Sequence, residues 1–449
     1  MTRFFKPIKF NYQTRCYIPL LYGLYQLFGW LAFTAGFPFF LLYSLITGRY
    51  RDGLEQRLGF LGADDRKQEH AMTIWLHGAS VGEILLAGIL IREIAAIMPE
   101  AEFVLSTMTE QGMEIARKQA GDKVRCIYAP LDLIGIVDRV IQKIKPSLYV
   151  CLETELWPAL LLRARRSGIK LVLLNGRLSE RSLQRYRLVK ELMGKILRCF
   201  SMIAVIQQSD ARRYIVLGAE PEKVRVLGNA KYDQDVEHLA SESKEQYSLW
   251  LNMYPGQPLF VAGSTHTGEE EMLLTVFQDL KKSTGMQDLI WVVAPRHMQR
   301  LPEVEAMLKK KQVLFERLSE IKNSTRRTDT VLVDSIGDLA GFYSIASYVF
   351  CGGSLVERGG HNIMEAAILG KPVFYGPSMK DFSDAAELLE SVGAGFPVSG
   401  PEALTESILY FMDHPEKYST AGKRAFDIAR AQQGAARKQA ALVKEVLEH

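Results

Sequence analysis

The sequence predicts an α/β protein, two doubly wound domains that face a cleft, behind an N-terminal membrane-anchor helix. Three observations predict it. Residues 16–48 carry no charged side chain. Beyond residue 73, continuous apolar runs of strand length alternate with amphipathic stretches of helical length, the pattern of a parallel sheet covered on both faces. A polar stretch at 232–246 interrupts that alternation, which then restarts. The composition agrees. With 449 residues, 48% apolar and 24% charged, the chain is neither disordered nor low-complexity and has room for two or three domains. Fifty-five Lys and Arg against 51 Asp and Glu leave a net charge of +4, which excludes a nucleic-acid binder working by bulk charge. Cys16, Cys126, Cys151, Cys199 and Cys351 are dispersed, with no CxxC or CxH spacing, so they read as reduced thiols and not as a disulfide framework or zinc site.

Taken in order, the anchor occupies residues 1–50. About 20 apolar residues cross a bilayer as a helix, and the uncharged run is long enough for a tilted one. Arg3, Lys6, Lys9 and Arg15 precede it, Arg49 and Arg51 follow it, and its Tyr and Trp residues suit the interface. It is too long for a signal peptide, and no small-x-small cleavage pattern follows cleanly. Positive charge on both sides leaves the orientation open. Pro38 kinks the helix or divides a span from an interfacial piece, and a helix lying in one leaflet fits the same residues. The first domain, 51–235, has strand runs at 73–76, 102–106, 125–128, 147–152, 170–175, 202–207 and 224–228. The second, 247–449, has them at 258–263, 289–295, 330–334, 348–353 and 372–377, and its last helix has the option of packing back on the first domain.

Candidate chemistry sits at strand ends. In the first half, His77-Gly78-Ala79-Ser80-Val81-Gly82-Glu83 forms a strand-to-helix turn that small residues hold open, with Glu83 starting the helix on the cleft side. A carboxylate there also compensates the helix dipole, an effect of about 0.3–1 kcal/mol. Glu153 and Glu155 follow the 147–152 strand, and Lys231 follows the last strand of this half. Asp233-Gln234-Asp235 spells a DxD metal motif, but it opens the polar linker and reads as solvated. In the second half, Gly352, Gly353, Gly359 and Gly360 let the backbone approach a ligand, and a helix start at Asn362 offers N–H groups to a phosphate. Glu365, one turn in, would accept ribose hydroxyls. Arg296 within 294–297 and the turn Ile336-Gly337-Asp338 lie on the same sheet edge, where open sheets bind ligands. Each of these features has a plain structural reading as a cap or a tight turn. Between Arg163 and Arg198, eleven Lys or Arg face two acids, Glu180 and Glu191. That local excess is either a solvated face or a surface for anionic lipid headgroups or a phosphorylated lipid.

HGASVGE, ETELWP, NGRLSERS, GNAKYD, APRH and GGHNIMEAA occur in that order over almost the whole chain. Together they resemble the Kdo (3-deoxy-D-manno-octulosonic acid) transferases of Gram-negative bacteria, membrane-anchored sugar transferases of the GT-B fold with two Rossmann-like domains. The resemblance implies transfer of Kdo from CMP-Kdo to a phosphorylated lipid A precursor, lipid IVA, at the cytoplasmic face of the inner membrane. It implies no cofactor beyond the donor substrate, and anionic inner-membrane lipids as surroundings. Glu83 would be the catalytic base, with Glu153 and Lys231 supporting the transition state. Pro295, Arg296, Ile336, Gly337, Asp338, Asn362, Ile363, Met364 and Glu365 would hold CMP. One departure is that relatives often carry Glu where Asp338 stands. The expected mechanism is a single inverting displacement without a metal, because a donor with one phosphate lets protein charges replace the ion. Two other readings fit the fold: another GT-B lipid-linked sugar transferase, and a non-catalytic membrane-anchored binding protein.

Overall fold

The computed structural model describes residues 14–47, 52–62, 72–120, 124–233 and 244–449. The flanking charges Arg3, Lys6, Lys9, Arg49 and Arg51, and Gln234 and Asp235 of the DxD triplet, lie outside the described residues. The chain forms two compact units, Met1–Asp233 together with Gly434–His449, and Gln234–Gln433.

In the first unit, seven parallel strands are ordered β3-β2-β1-β4-β5-β6-β7. They are β1 (Thr73–His77), β2 (Glu102–Thr107), β3 (Val124–Tyr128), β4 (Leu148–Leu152), β5 (Lys170–Gly176), β6 (Met202–Val205) and β7 (Val224–Val226). Successive side chains point to opposite faces, so Trp75, Tyr149, Cys151, Leu171 and Leu173 join one core, while Ile74, Leu76, Leu148 and Val150 join the other. Strand order reverses between β1 and β4, and that switch point opens a crevice at the carboxyl ends of those two strands. HGASVGE follows β1 and ETELWP follows β4, so the topology alone brings the two motifs together.

The second unit has seven parallel strands ordered β10-β11-β9-β8-β12-β13-β14. These are β8 (Leu259–Thr265), β9 (Ile290–Pro295), β10 (Glu316–Arg317), β11 (Thr330–Leu332), β12 (Tyr348–Cys351), β13 (Val373–Tyr375) and β14 (Gly395–Pro397). Here the switch point lies between β8 and β12. Neither edge strand, β10 nor β14, is among the expected runs, since two or three residues without an apolar run leave no pattern to read.

The last helix, Ala435–Glu448, belongs to the first unit. Its Ala435, Ala436, Ala440, Leu442 and Val443 complete the core over Val172 and Leu174 of β5 and Ala204 of β6. Asp233 fastens its start, accepting hydrogen bonds from the Gly434 amide (2.6 Å) and the Ala436 amide. At the other end of the chain, helix Thr14–Thr47 runs unbroken through Pro38. Of the two outcomes offered at Pro38, the division into two pieces is absent, because an internal proline removes a single helical bond, a loss that a long helix tolerates. By length and composition, Leu20–Tyr43 suffices to cross a membrane. Phe28 and Phe39 are exposed, whereas Tyr22 packs against the first unit's core and Gln26 is buried. Gly29 permits this close approach, as a Cβ there would lie 2.9 Å from Leu133 Cδ2.

Candidate active site

The first unit builds its site from the loops after β1, β4, β5 and β7. Gly78 lets the chain fold back, because a Cβ would sit 2.9 Å from that of Glu83. Ser80 caps helix Val81–Ile97 in a capping box, its Oγ accepting from the Glu83 amide at 3.3 Å. In return Glu83 Oε2 accepts from the Ala79 and Ser80 amides at 2.8 and 2.7 Å. Glu83 is 5% exposed. Burial pushes its carboxyl up to about 7, with the nearby charges of Glu153 and Glu155 adding and the bonds to Ser80 opposing.

Glu153 turns the chain at the end of β4 with φ +51°, a conformation that non-glycine residues keep only when surroundings enforce it. The Glu153 amide donates to Leu174 O at 3.0 Å, and its carbonyl accepts from Tyr214 Oη at 3.1 Å. Its carboxylate pairs with the Lys231 ammonium. Lys231 comes from a 3₁₀ turn, Ala230–Tyr232, held by buried amide side chains. Asn229 Oδ1 accepts from the Lys231 amide (3.1 Å), and Asn175 Oδ1 from the Ala230 amide (2.8 Å). Asn175, itself at φ +53°, donates from its backbone amide to Gln439 Oε1 of the last helix. A Cβ on Gly82 would lie 3.8 Å from Lys231 Nζ, so the ammonium stands over the first turn of the helix that bears Glu83. Glu83, Glu153 and Lys231 thus share one corner. His77 and Glu155 lie beside them. His77 Nδ1 is 3.0 Å from Ser106 Oγ, and its buried Nε2 has no hydrogen-bond partner and faces Glu155 Oε2 at 3.9 Å. Burial pushes His77 down to about 4, which keeps the imidazole neutral.

The second unit corrects two expectations. The amides of Gly353, Ser354 and Leu355 do not wait for a phosphate: they donate to the buried carboxylate of Glu269 at 2.7, 2.9 and 2.9 Å. Gly352 serves packing as well, since a Cβ there would lie 2.5 Å from Ser264 O. The helix expected after Asn362 is a single turn, Met364–Ala367, whose dipole is correspondingly small. Just before it, Asn362 Oδ1 accepts from the Met364 amide (3.1 Å) and its Nδ2 donates to Glu365 Oε1 (3.2 Å), while Ile363 and Met364 are buried. In the turn after β11, Asp338 is engaged by Tyr247 Oη (2.7 Å), Lys322 Nζ (3.1 Å) and Ser335 Oγ. Burial works to raise its carboxyl, yet those three bonds hold it below its ordinary value. That turn leaves open Ile336, 89% exposed, and the backbone of Gly337 at φ +102°.

Pro295 is buried at the end of β9 and presents Arg296, which is exposed. Beside it the sequence reading passed over His266, whose Nε2 lies 2.9 Å from His361 Nε2, with the His297 ring 5.6 Å away. Burial, reinforced by neighbouring positive charges including Arg296, pushes His361 down to about 3 and His266 to about 4. The available signal was positional: His266 directly follows β8, at the switch point. Glu269 gave none, as the amides it binds in the Gly353 turn lie more than 80 residues away. Among the described residues, no group of three or more His, Cys, Asp or Glu side chains is placed to hold a metal ion. The eleven cations of the 163–198 segment do not act as one surface. Arg163 forms a two-bond pair with Asp138, and Lys170 bonds the carbonyls of Val446 and Leu447. Arg181, Arg185 and Arg187 are exposed on helix Glu180–Arg187, which runs into Leu188, 86% exposed.

Comparisons with known proteins meet this geometry. A family model described as 3-deoxy-D-manno-octulosonic-acid transferase (kdotransferase) matches residues 52–234. A 3-deoxy-D-manno-octulosonic acid transferase of Haemophilus influenzae is 32% identical over 409 residues, covering 91% of this chain and 94% of the relative. A bifunctional glycosyltransferase/methyltransferase of Fusobacterium nucleatum is 32% identical over 389 residues, which is 86% of this chain but 58% of that relative's length. Among solved structures, UDP-GlcNAc 2-epimerase from Neisseria meningitidis shares the fold at 14% identity, with TM-score 0.57 over 84% of this chain and 100% of the other.

Proposed function

The chain belongs to the family of 3-deoxy-D-manno-octulosonic acid (Kdo) transferases, and from that premise we propose that it transfers Kdo from CMP-Kdo to the lipid A precursor lipid IVA. In this reading it is an inverting, metal-independent GT-B glycosyltransferase of lipopolysaccharide biosynthesis. The observation that carries the proposal is the state of Glu83, a buried carboxyl raised to about 7, beside the Glu153–Lys231 pair. A base with such a value is half ionised at neutral pH and still accepts a proton readily. Glu83 removes the proton of an acceptor sugar hydroxyl, and that oxygen attacks the anomeric carbon of Kdo as CMP departs. Glu153 stabilises the positive charge that develops on the sugar, and Lys231, paired with it, holds Glu153 in place. On the second unit, Pro295, Arg296, Ile336, Gly337, Asn362, Ile363, Met364 and Glu365 hold CMP, with Asp338 acting through the turn it stabilises. The anchor places the enzyme at the bacterial inner membrane, with both units on the cytoplasmic side among anionic lipids. Incubation with CMP-Kdo and lipid IVA, followed by mass spectrometry of the lipid, tests this. Lipid carrying Kdo is expected, and unmodified lipid after full incubation refutes the reading.

A further inference from the structure

We propose that Asp132 makes the anchor helix part of the active-site scaffold: Tyr25 and Gln26, by holding Asp132, hold the loop Glu153-Thr154-Glu155-Leu156-Trp157 in place beside Glu83. The inference rests on the reading of Glu83 as the catalytic base, and it casts Asp132 as a positioning residue.

Asp132 lies in the loop after β3 and is buried. Its Oδ2 accepts from Tyr25 Oη and from the Ala159 amide, both at 2.8 Å, and its Oδ1 accepts from the Leu160 amide at 2.8 Å. Gln26 brackets the same loop, donating from Nε2 to Asp132 O (3.3 Å) and accepting from the Ile134 amide (3.1 Å). Gln26 is the one carboxamide side chain in the uncharged run 16–48. A mere tether needs no such residue, and along a lipid-facing helix it would be a liability.

The other side of Asp132 is the start of helix Pro158–Arg166. Trp157 stands at the cap position and makes no side-chain cap, and Pro158 has no N–H to offer. The first amides needing a partner are therefore those of Ala159 and Leu160, and Asp132 takes both. The helix start is thus fixed by a residue distant in sequence, which is in turn fixed by the anchor.

From there the path to the reacting corner is short. Trp157 Nε1 donates to Glu155 Oε2 at 2.7 Å, and the indole ring meets His77 edge-on with centroids 5.6 Å apart. Glu155 and Glu153 both raise the carboxyl of Glu83. Freeing the first turn of the Pro158 helix frees Trp157, then Glu155, and with them the field that tunes the base. The charged and titratable groups facing Glu83 are Glu153, Glu155 and Lys231, with the neutral His77 and the buried thiol of Cys151 beside them.

The test uses the full-length protein in detergent micelles, comparing wild type with Tyr25→Phe, and with Phe28→Leu as a control on the exposed side of the same helix. Hydrogen exchange at Ala159 and Leu160 should quicken roughly 3- to 10-fold in Tyr25→Phe, the effect of one lost hydrogen bond, and stay unchanged in the control. Kcat should fall by a similar roughly 3- to 10-fold factor, and the acid limb of its pH profile should move, while KM for CMP-Kdo and partition into vesicles hold. Unchanged exchange at 159–160 overturns the proposal, and so does faster exchange with wild-type kcat and pH profile. If the wild type itself transfers no Kdo, the functional reading fails, and exchange alone then judges whether the anchor holds the loop.

Discussion

In the proposed mechanism Glu83 performs two tasks with one carboxylate, because the amides of Ala79 and Ser80 both bond Oε2 and leave the capping role on a single oxygen. Glu83→Gln keeps that oxygen and removes only the basicity. Transfer should fall by roughly 10²–10⁴-fold, with CMP affinity unchanged, and a folded Gln variant with near-wild-type kcat would falsify the assignment. The same residue predicts a stability signature. A carboxyl raised from its ordinary value to about 7 binds a proton in the folded chain that the unfolded chain has already released. Its contribution to stability is therefore complete below about 4.5 and disappears as pH rises through 7. A shift of this size corresponds to roughly 3 kcal/mol. Glu83→Gln should accordingly gain on the wild type by up to that amount between pH 5 and pH 8, read from denaturant unfolding at both values. Wild-type activity should rise with pH along a limb near 7. The position of Glu83 was legible because a buried strand followed by small residues marks a turn where a side chain reaches the crevice. The occupation of the Gly353 turn by Glu269, and of Asp338 by Tyr247, was not, since such pairings join residues 84 and 91 apart.

At the scale of elements, the strands that were legible are those buried on both faces, such as β1 and β4, where every residue is apolar or neutral and all are covered. The edge strands β10 and β14 escaped because their lengths give periodicity nothing to act on, and the helix expected after Asn362 is shorter than read, a single turn at Met364. Charge patterning was legible in number but not in direction. Arg163 and Lys170 are consumed inside the unit, whereas Arg181, Arg185 and Arg187 stay exposed next to the apolar Leu188. An exposed leucine flanked by cations suits an anionic bilayer surface. Reversing the three arginines to Glu should weaken use of lipid acceptor in anionic vesicles and flatten its salt dependence, with CMP binding intact. An equal rate for variant and wild type across a salt series would reduce this helix to a solvated face.

For the whole molecule, two parallel sheets were readable from the restart of the alternation after residue 246. The allegiance of the last helix needed the structure, because its alanine-rich stripe fits any apolar groove, and the polar ties from Asp233, Asn175, Lys170 and Arg225 that hold it to the first unit join residues some 200 or more apart. Chemistry distributed over protein charges makes a further expectation: transfer should survive EDTA at full rate. Loss in EDTA with recovery on adding Mg²⁺ would require an ion in the mechanism.

The Asp233 clasp has a consequence for how the gene is divided. The chain leaves the first unit after Asp233 and re-enters at Gly434, and one carboxylate touches both crossing points. The 200 intervening residues, 234–433, are therefore a guest inserted into a host. Splicing Asp233 to Gly434 through a short Gly-Ser bridge should restore a continuous host that keeps its last helix and melts cooperatively. Deleting 434–449 instead should leave Val172, Leu174 and Ala204 uncovered and the host unable to fold.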